Sequence, residues 1–175
     1  MEFSPENKAR FDAVCLLRDC GRRPGTRYDH VKASNHSRLD EIQAALLRVK
    51  LPYLALWTER RRLAAARYDA AFAALPLKRP PGDPRGGRHV YHQYVLQTPR
   101  RDALAAFLRE RGIDSGVYYP MPLHTLEAYR SLGHRAGDFP QAERASAEVL
   151  SLPMFSELED GEISRVCDAV ADFFG

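Results

Sequence analysis

The chain has 175 residues, of which 45% are hydrophobic and 28% charged, and a net charge of +3. That is the size and composition of one ordinary globular domain. No apolar run approaches the roughly 20 residues needed to span a bilayer, and the opening MEFSPENKARFDAV lacks the charged-then-apolar order of a secretory leader. Cys15, Cys20 and Cys167 have no metal-ligand spacing and are read as free thiols of a cytoplasmic protein.

Only four lysines are present, Lys8, Lys32, Lys50 and Lys78, so arginine supplies nearly all the positive charge. The run TERRRLAAAR could be a nucleic-acid footprint. Its arginines alternate with Leu63, Ala64 and Tyr68 at helical spacing, however, and are read as a solvated or salt-bridged helix face with no nucleic-acid partner.

In chain order, residues 10–20 read as a short helix with Phe11, Val14 and Leu16 or Leu17 on one side, stopped by Gly21. GRRPGTRYDHVKAS is a turn-rich connector. In SNHSRLDEIQAALLRVKLP, Leu39, Ile42, Leu46 and Val49 form one apolar stripe, predicting a packed helix from about Leu39 to Lys50. Ser37 and Asp40 match a capping box, which leaves Asn35 and His36 outside the helix at its positive end. Pro52 should interrupt or restart the helix. A longer helix follows, with Trp57, Ala64, Tyr68, Phe72 and Leu75 inward, and PLKRPPGDPRGG then forms a surface loop.

After that loop the pattern changes. HVYHQYVLQ reads as a strand, rich in β-branched and aromatic residues. Thr98 and Pro99 start a helix carrying Leu104, Phe107 and Leu108, which Gly112 closes. IDSGVYYP reads as a second strand, helices are expected near 125–132 and 141–150, and LSLPMF is a short extended piece. A last helix groups Ile163, Val166, Val170 and Phe173. The class is α/β (α+β): a short, mainly antiparallel sheet covered by helices, behind long N-terminal helices.

Few residues stand out for chemistry. His89 and His92, three apart on a strand, would point to opposite faces, so no metal site is expected. In YYPMPLH, Pro120 and Pro122 stiffen a loop that would hold Tyr118, Tyr119 and His124 in fixed directions, as ligand loops do; the same residues could equally cap a core. No phosphate-cradling glycine loop, dinucleotide fingerprint or nucleophile turn is present.

Seven segments in order, LLRDCG, SNHSRLDEIQAALLRVKLPYLALWTERRRLAAARYD, HVYHQYVL, RDALAAFLRERGI, VYYPMPLH, GDFPQAERASAEVLSLPMF and ISRVCDAVADFF, resemble the DegT/StrS family of pyridoxal-phosphate-dependent sugar aminotransferases, from about Leu16 to Gly175. The resemblance is to the C-terminal small domain of a fold-type I enzyme. Residues 1–36 would then be an N-terminal helix and connector left from the join to a large cofactor domain, and residues 37–175 the small domain. Family members are dimers that move an amino group from glutamate to a keto sugar linked to a nucleotide.

The lysine that holds the cofactor covalently belongs to the large domain. Lys8, in FSPENKARF, bears only a faint likeness to that segment, so no catalytic residue is assigned here. The resemblance implies that Asn35 contacts the phosphate of the partner subunit's pyridoxal 5'-phosphate, and that Arg38, Tyr118, Tyr119 and His124 contact the nucleotide-sugar substrate. Two positions depart from the family pattern: Ser34 stands where a glycine usually precedes the asparagine, and Tyr118 replaces a histidine. The chain is expected to be a truncated or split aminotransferase that associates as a homodimer or with a missing large domain. The alternative is a non-catalytic dimerisation or binding module of the same descent.

Overall fold

The computed structural model describes residues 4–26, 28–35, 37–83 and 86–175. His36, noted above beside Asn35, lies outside the described residues. The chain divides into two compact units, Met1–Pro52 and Tyr53–Gly175.

The first unit holds helix α1 (Pro5–Arg18) and helix α2 (Glu41–Lys50). The first helix begins five residues earlier than expected. The Ser4 hydroxyl accepts from the Asn7 N–H at 3.3 Å and Pro5 occupies the first turn, a start signal missed in the sequence. It ends where Cys20 and Gly21 both take positive φ. Gly21 is required there: a Cβ would lie 1.8 Å from the Lys32 carbonyl oxygen.

The expected capping box on α2 does not form. Asp40 is the N-cap residue and makes no side-chain cap hydrogen bond. The Ser37 N–H instead donates to the Arg18 carbonyl at 2.9 Å, because the connector folds back on the end of α1. Nor is the apolar stripe of α2 packed: Ile42 is 76% and Val49 70% exposed, and neither helix of this unit has a buried residue. Leu51–Tyr53 then forms a 3-10 turn at Pro52, as that proline required.

The second unit has a core of its own. It comprises α3 (Leu54–Ala71), β1 (Tyr94–Gln97), α4 (Arg101–Glu110), α5 (Pro140–Glu148), β2 (Val149–Leu152) and α6 (Asp160–Phe174), with 3-10 turns at Leu123–Thr125 and Glu127–Leu132. The strands β1 and β2 are antiparallel, in the register Tyr94↔Leu152 to Gln97↔Val149. Lys78 adds a bridge on the outer edge of β1, and Gly116 one on the outer edge of β2. Alternation sends Tyr94, Leu96, Leu150 and Leu152 to one face, where they join Tyr68 and Phe72 of the α3 end, Leu104 and Leu108 of α4, and Ile163, Val166 and Val170 of α6. The helix α6 starts on a reciprocal capping box between Glu159 and Glu162.

Both predicted strands are shorter than the sequence implied. From His89 to Gln93 the chain is irregular, because arginine side chains and Asp83, not a neighbouring strand, satisfy its backbone. Arg62 donates to the His89 carbonyl at 2.7 Å, Arg61 to the Val90 carbonyl at 3.0 Å, and Asp83 accepts the His89 N–H at 2.6 Å. His89 and His92 therefore do not occupy a strand, and the two-face reading of them falls. Arg62 and Asp83 also pair bidentately, which holds the Asp83 carboxyl well below its usual range. In 113–120 only Gly116 pairs, and near 125–132 the helix is 3-10, not α.

The arginine-rich face of α3 is likewise engaged within the chain. Besides Arg61 and Arg62, Arg67 bonds Asp160 and Ser164. No helix of the described residues is long and apolar enough to cross a membrane.

Leu104 is fully buried between α4 and the sheet. Leu104→Ala should lower the unfolding free energy by about 2–5 kcal/mol, the usual cost of a truncated core leucine, read as an earlier midpoint in urea at unchanged slope.

Candidate functional site

The residues singled out in the sequence fall into two groups, one in each unit. In the first, the connector after α1 is pinned on either side of Asn35. The Ser34 hydroxyl donates to the Leu17 carbonyl at 2.6 Å, and the Ser37 N–H donates to the Arg18 carbonyl at 2.9 Å. Asn35 stands exposed between these two anchors. The serine at position 34 therefore has a local use that a glycine could not fill, since only a hydroxyl makes that bond. Arg38 is half exposed, with its Nε 3.2 Å from Asp19 Oδ1; Asp19 also accepts from Arg22 Nε at 2.9 Å.

In the second unit, the loop after Gly116 carries Tyr118, Tyr119 and His124. Tyr119 is 75% exposed and Tyr118 half exposed, with their rings edge to face at 6.0 Å. His124 is turned inward, its side chain only 7% exposed. Its Nε2–H donates to Glu143 Oε1 at 2.9 Å, and its ring lies 4.9 Å from that of Phe139. Glu143 Oε1 also accepts the Gly137 N–H at 2.7 Å, so one carboxylate on α5 ties down two loop segments. That N–H first, and His124 second, hold the Glu143 carboxyl below its usual range against the opposing effect of burial. Spacing alone could not reveal this clasp, because its partners are 19 residues apart.

Beside Tyr118, at the end of the sheet, opens a cleft of about 380 Å³. The sequence reading did not find it, since its walls come from three separate segments around His92, Asp114 and Pro153. Elsewhere, among the described residues, no group of three or more His, Cys, Asp or Glu side chains is placed to hold a metal ion.

Comparison with known proteins gives these arrangements a context. The DegT/DnrJ/EryC1/StrS aminotransferase family model matches residues 5–171. The chain belongs to this family. It is 45% identical over 161 residues to a pleiotropic regulatory protein of Geobacillus stearothermophilus, covering 91% of this chain and 43% of that protein. It is 39% identical over 163 residues to the dTDP-3-amino-3,4,6-trideoxy-alpha-D-glucose transaminase of Streptomyces venezuelae, covering 90% and 41%. Among solved structures it resembles S. venezuelae DesV in complex with a ketimine intermediate, with a TM-score of 0.85 at 38% identity over 97% of this chain and 44% of that one. The chain thus spans less than half the length of the relatives it matches, and its helix-rich fold with a short antiparallel sheet is that of the C-terminal part of such an aminotransferase.

The implied cofactor can be tested against the groups present. A hydrogen-bond donor for a phosphate exists in Asn35, exposed on a pinned connector. Of the four lysines, Lys8 lies on α1 in an exposed pair with Asp12 at 3.3 Å, Lys32 is exposed in the connector, Lys50 is exposed at the end of α2, and Lys78 bridges the β1 edge through its backbone. The residues fit one contact to the cofactor and not the whole of its site.

The Glu143 clasp has a pH signature. Its folded pKa lies below the unfolded value near about 4.3, so its stabilisation is complete above that value and is lost as pH falls through the lowered folded value. Amide-exchange protection of residues 123–133 should therefore hold at neutral pH and drop in acid. Glu143→Ala should reduce it roughly tenfold at neutral pH, the scale of one charge-assisted hydrogen bond.

Proposed function

We propose that this chain is the C-terminal part of a pyridoxal-phosphate-dependent aminotransferase acting on keto sugars linked to nucleotides, with glutamate as amino donor. The observation that carries this reading is the family match across residues 5–171, which takes in both the Asn35 connector and the Tyr118–His124 loop.

When bound, the cofactor supplies the electron sink for amino transfer. The residues of this chain bind and orient. Asn35 donates its amide N–H to the phosphate in the partner subunit, from a connector fixed at Ser34 and Ser37 so that little ordering is left to binding. Tyr118 and Tyr119 face the substrate, and Arg38, held by Asp19, offers its guanidinium to an anionic part of it. His124 serves the substrate through the loop, as a positioning residue clasped by Glu143. The lysine that anchors the cofactor comes from the large domain. A cytoplasmic setting suits the three free cysteines.

The test joins this chain to the large domain of a relative and measures the cofactor absorbance band and amino transfer to a nucleotide-linked keto sugar. Both should appear. Asn35→Ala should weaken cofactor binding about 10- to 100-fold, the scale of a hydrogen bond to a charged group. If the joined protein binds the cofactor no better than the large domain alone, the reading fails.

The bare stripe of α2 favours a second reading, a dimerisation module without catalysis, since Ile42 and Val49 would gain a partner only in an assembly. It predicts a dimer by light scattering that Ile42→Asp converts to monomer, and a chain that never acquires transaminase activity when joined as above.

A further inference from the structure

A second cleft, of about 430 Å³, opens where the end of α4 meets α6, and it shares no residue with the site described above. It is lined by two arginines, Arg111 and Arg165, and two aspartates, Asp168 and Asp172, all of them exposed. Between these charges it is apolar, with Ile113 and Ala169 each 5% exposed.

The charges have not been spent on one another. Opposite charges three residues apart pair elsewhere in this chain, Asp19 with Arg22 and Glu127 with Arg130. Arg165 and Asp168 have the same spacing on one helix face, where such pairs are favoured, and do not pair. None of the four has an ion-pair partner among the described residues. The cause is that each arginine is held by an uncharged group. Arg165 donates to the Arg111 carbonyl just past α4. The Arg111 guanidinium lies 3.4 Å over the Phe107 ring, which packs edge to face on Phe173 at 5.3 Å. Both contacts fix a guanidinium and leave its charge available, so little side-chain freedom would be lost on binding.

The pairing of signs narrows the ligand. A phosphate or other simple anion would be repelled by two aspartates, and a simple cation by two arginines. A small zwitterion satisfies both, with a charge-assisted hydrogen bond at each end. We propose that this cleft binds a free α-amino acid, its carboxylate on the arginine side, its ammonium on Asp168 and Asp172, and a short apolar side chain against Ile113 and Ala169. The proposal stands independently of the aminotransferase reading.

The experiment titrates the isotope-labelled chain with L-alanine, following backbone amides by NMR, with propionate and ethylamine as the two half-ligands. Alanine should shift the amides of Gly112, Asp168 and Asp172 saturably, and neither half-ligand should reproduce those shifts. Asp172→Asn and Arg111→Gln, both at exposed positions, should each weaken alanine binding about fivefold, the scale of a partly exposed ion pair. Added salt should weaken binding to the parent chain as well, a readout that needs no variant. The proposal is overturned if alanine leaves those amides in place, or if propionate or ethylamine alone gives the same shifts. Binding indifferent to salt, or equal in the parent and both variants, would overturn it too.

Discussion

The second unit is organised by what Tyr68 does at both ends of its side chain. Its ring is fully buried, stacked on Phe72 at 5.6 Å and edge-on to Tyr94 at 5.0 Å, which locks α3 to the first residue of β1. Its hydroxyl donates to the Pro153 carbonyl at 3.1 Å, just past β2. Burial pushes the phenol well above its ordinary pKa, so it stays a neutral donor. One side chain thus fixes a helix, a strand and the turn that walls the cleft. Tyr94 adds a second tie, donating to Asp69 at 2.8 Å, so the aromatic core is anchored by its polar ends as well as packed by its rings.

The two units differ in kind. The second buries aliphatic and aromatic residues from three helices and both strands. The first holds its shape with local hydrogen bonds, exposed ion pairs and Gly21 at positive φ, and its helices bury nothing. Exposed ion pairs contribute little, and helices of 14 and 10 residues are marginal without tertiary packing. The apolar stripe of α2 has the pattern of a core helix and the exposure of a surface one.

Much of the second unit was legible in the sequence because its signals are local. The periodicity at Leu104 and Leu108, and at Ile163, Val166 and Val170, marks true inward faces, and Gly112 stops its helix at positive φ as expected. Errors arose where long-range contacts replaced local ones. HVYHQ has strand composition, yet Arg61, Arg62 and Asp83, distant in sequence, take its backbone groups. Ser37 has the chemistry of a cap, yet the end of α1 claims its amide.

The site was legible in part for the same reason. A loop stiffened by prolines is visible in YYPMPLH, and the tyrosines do stand on its surface. The inward turn of His124 was not visible, because a carboxylate on α5 decides it. Ser151 was missed altogether: in LSLPMF it looks like a polar residue on the open face of a strand, where a hydroxyl would simply meet water. Only the fold, by pairing the Ser151 backbone with Gly116 and burying the side chain, closes the hydroxyl off from water and makes it costly to leave unpaired.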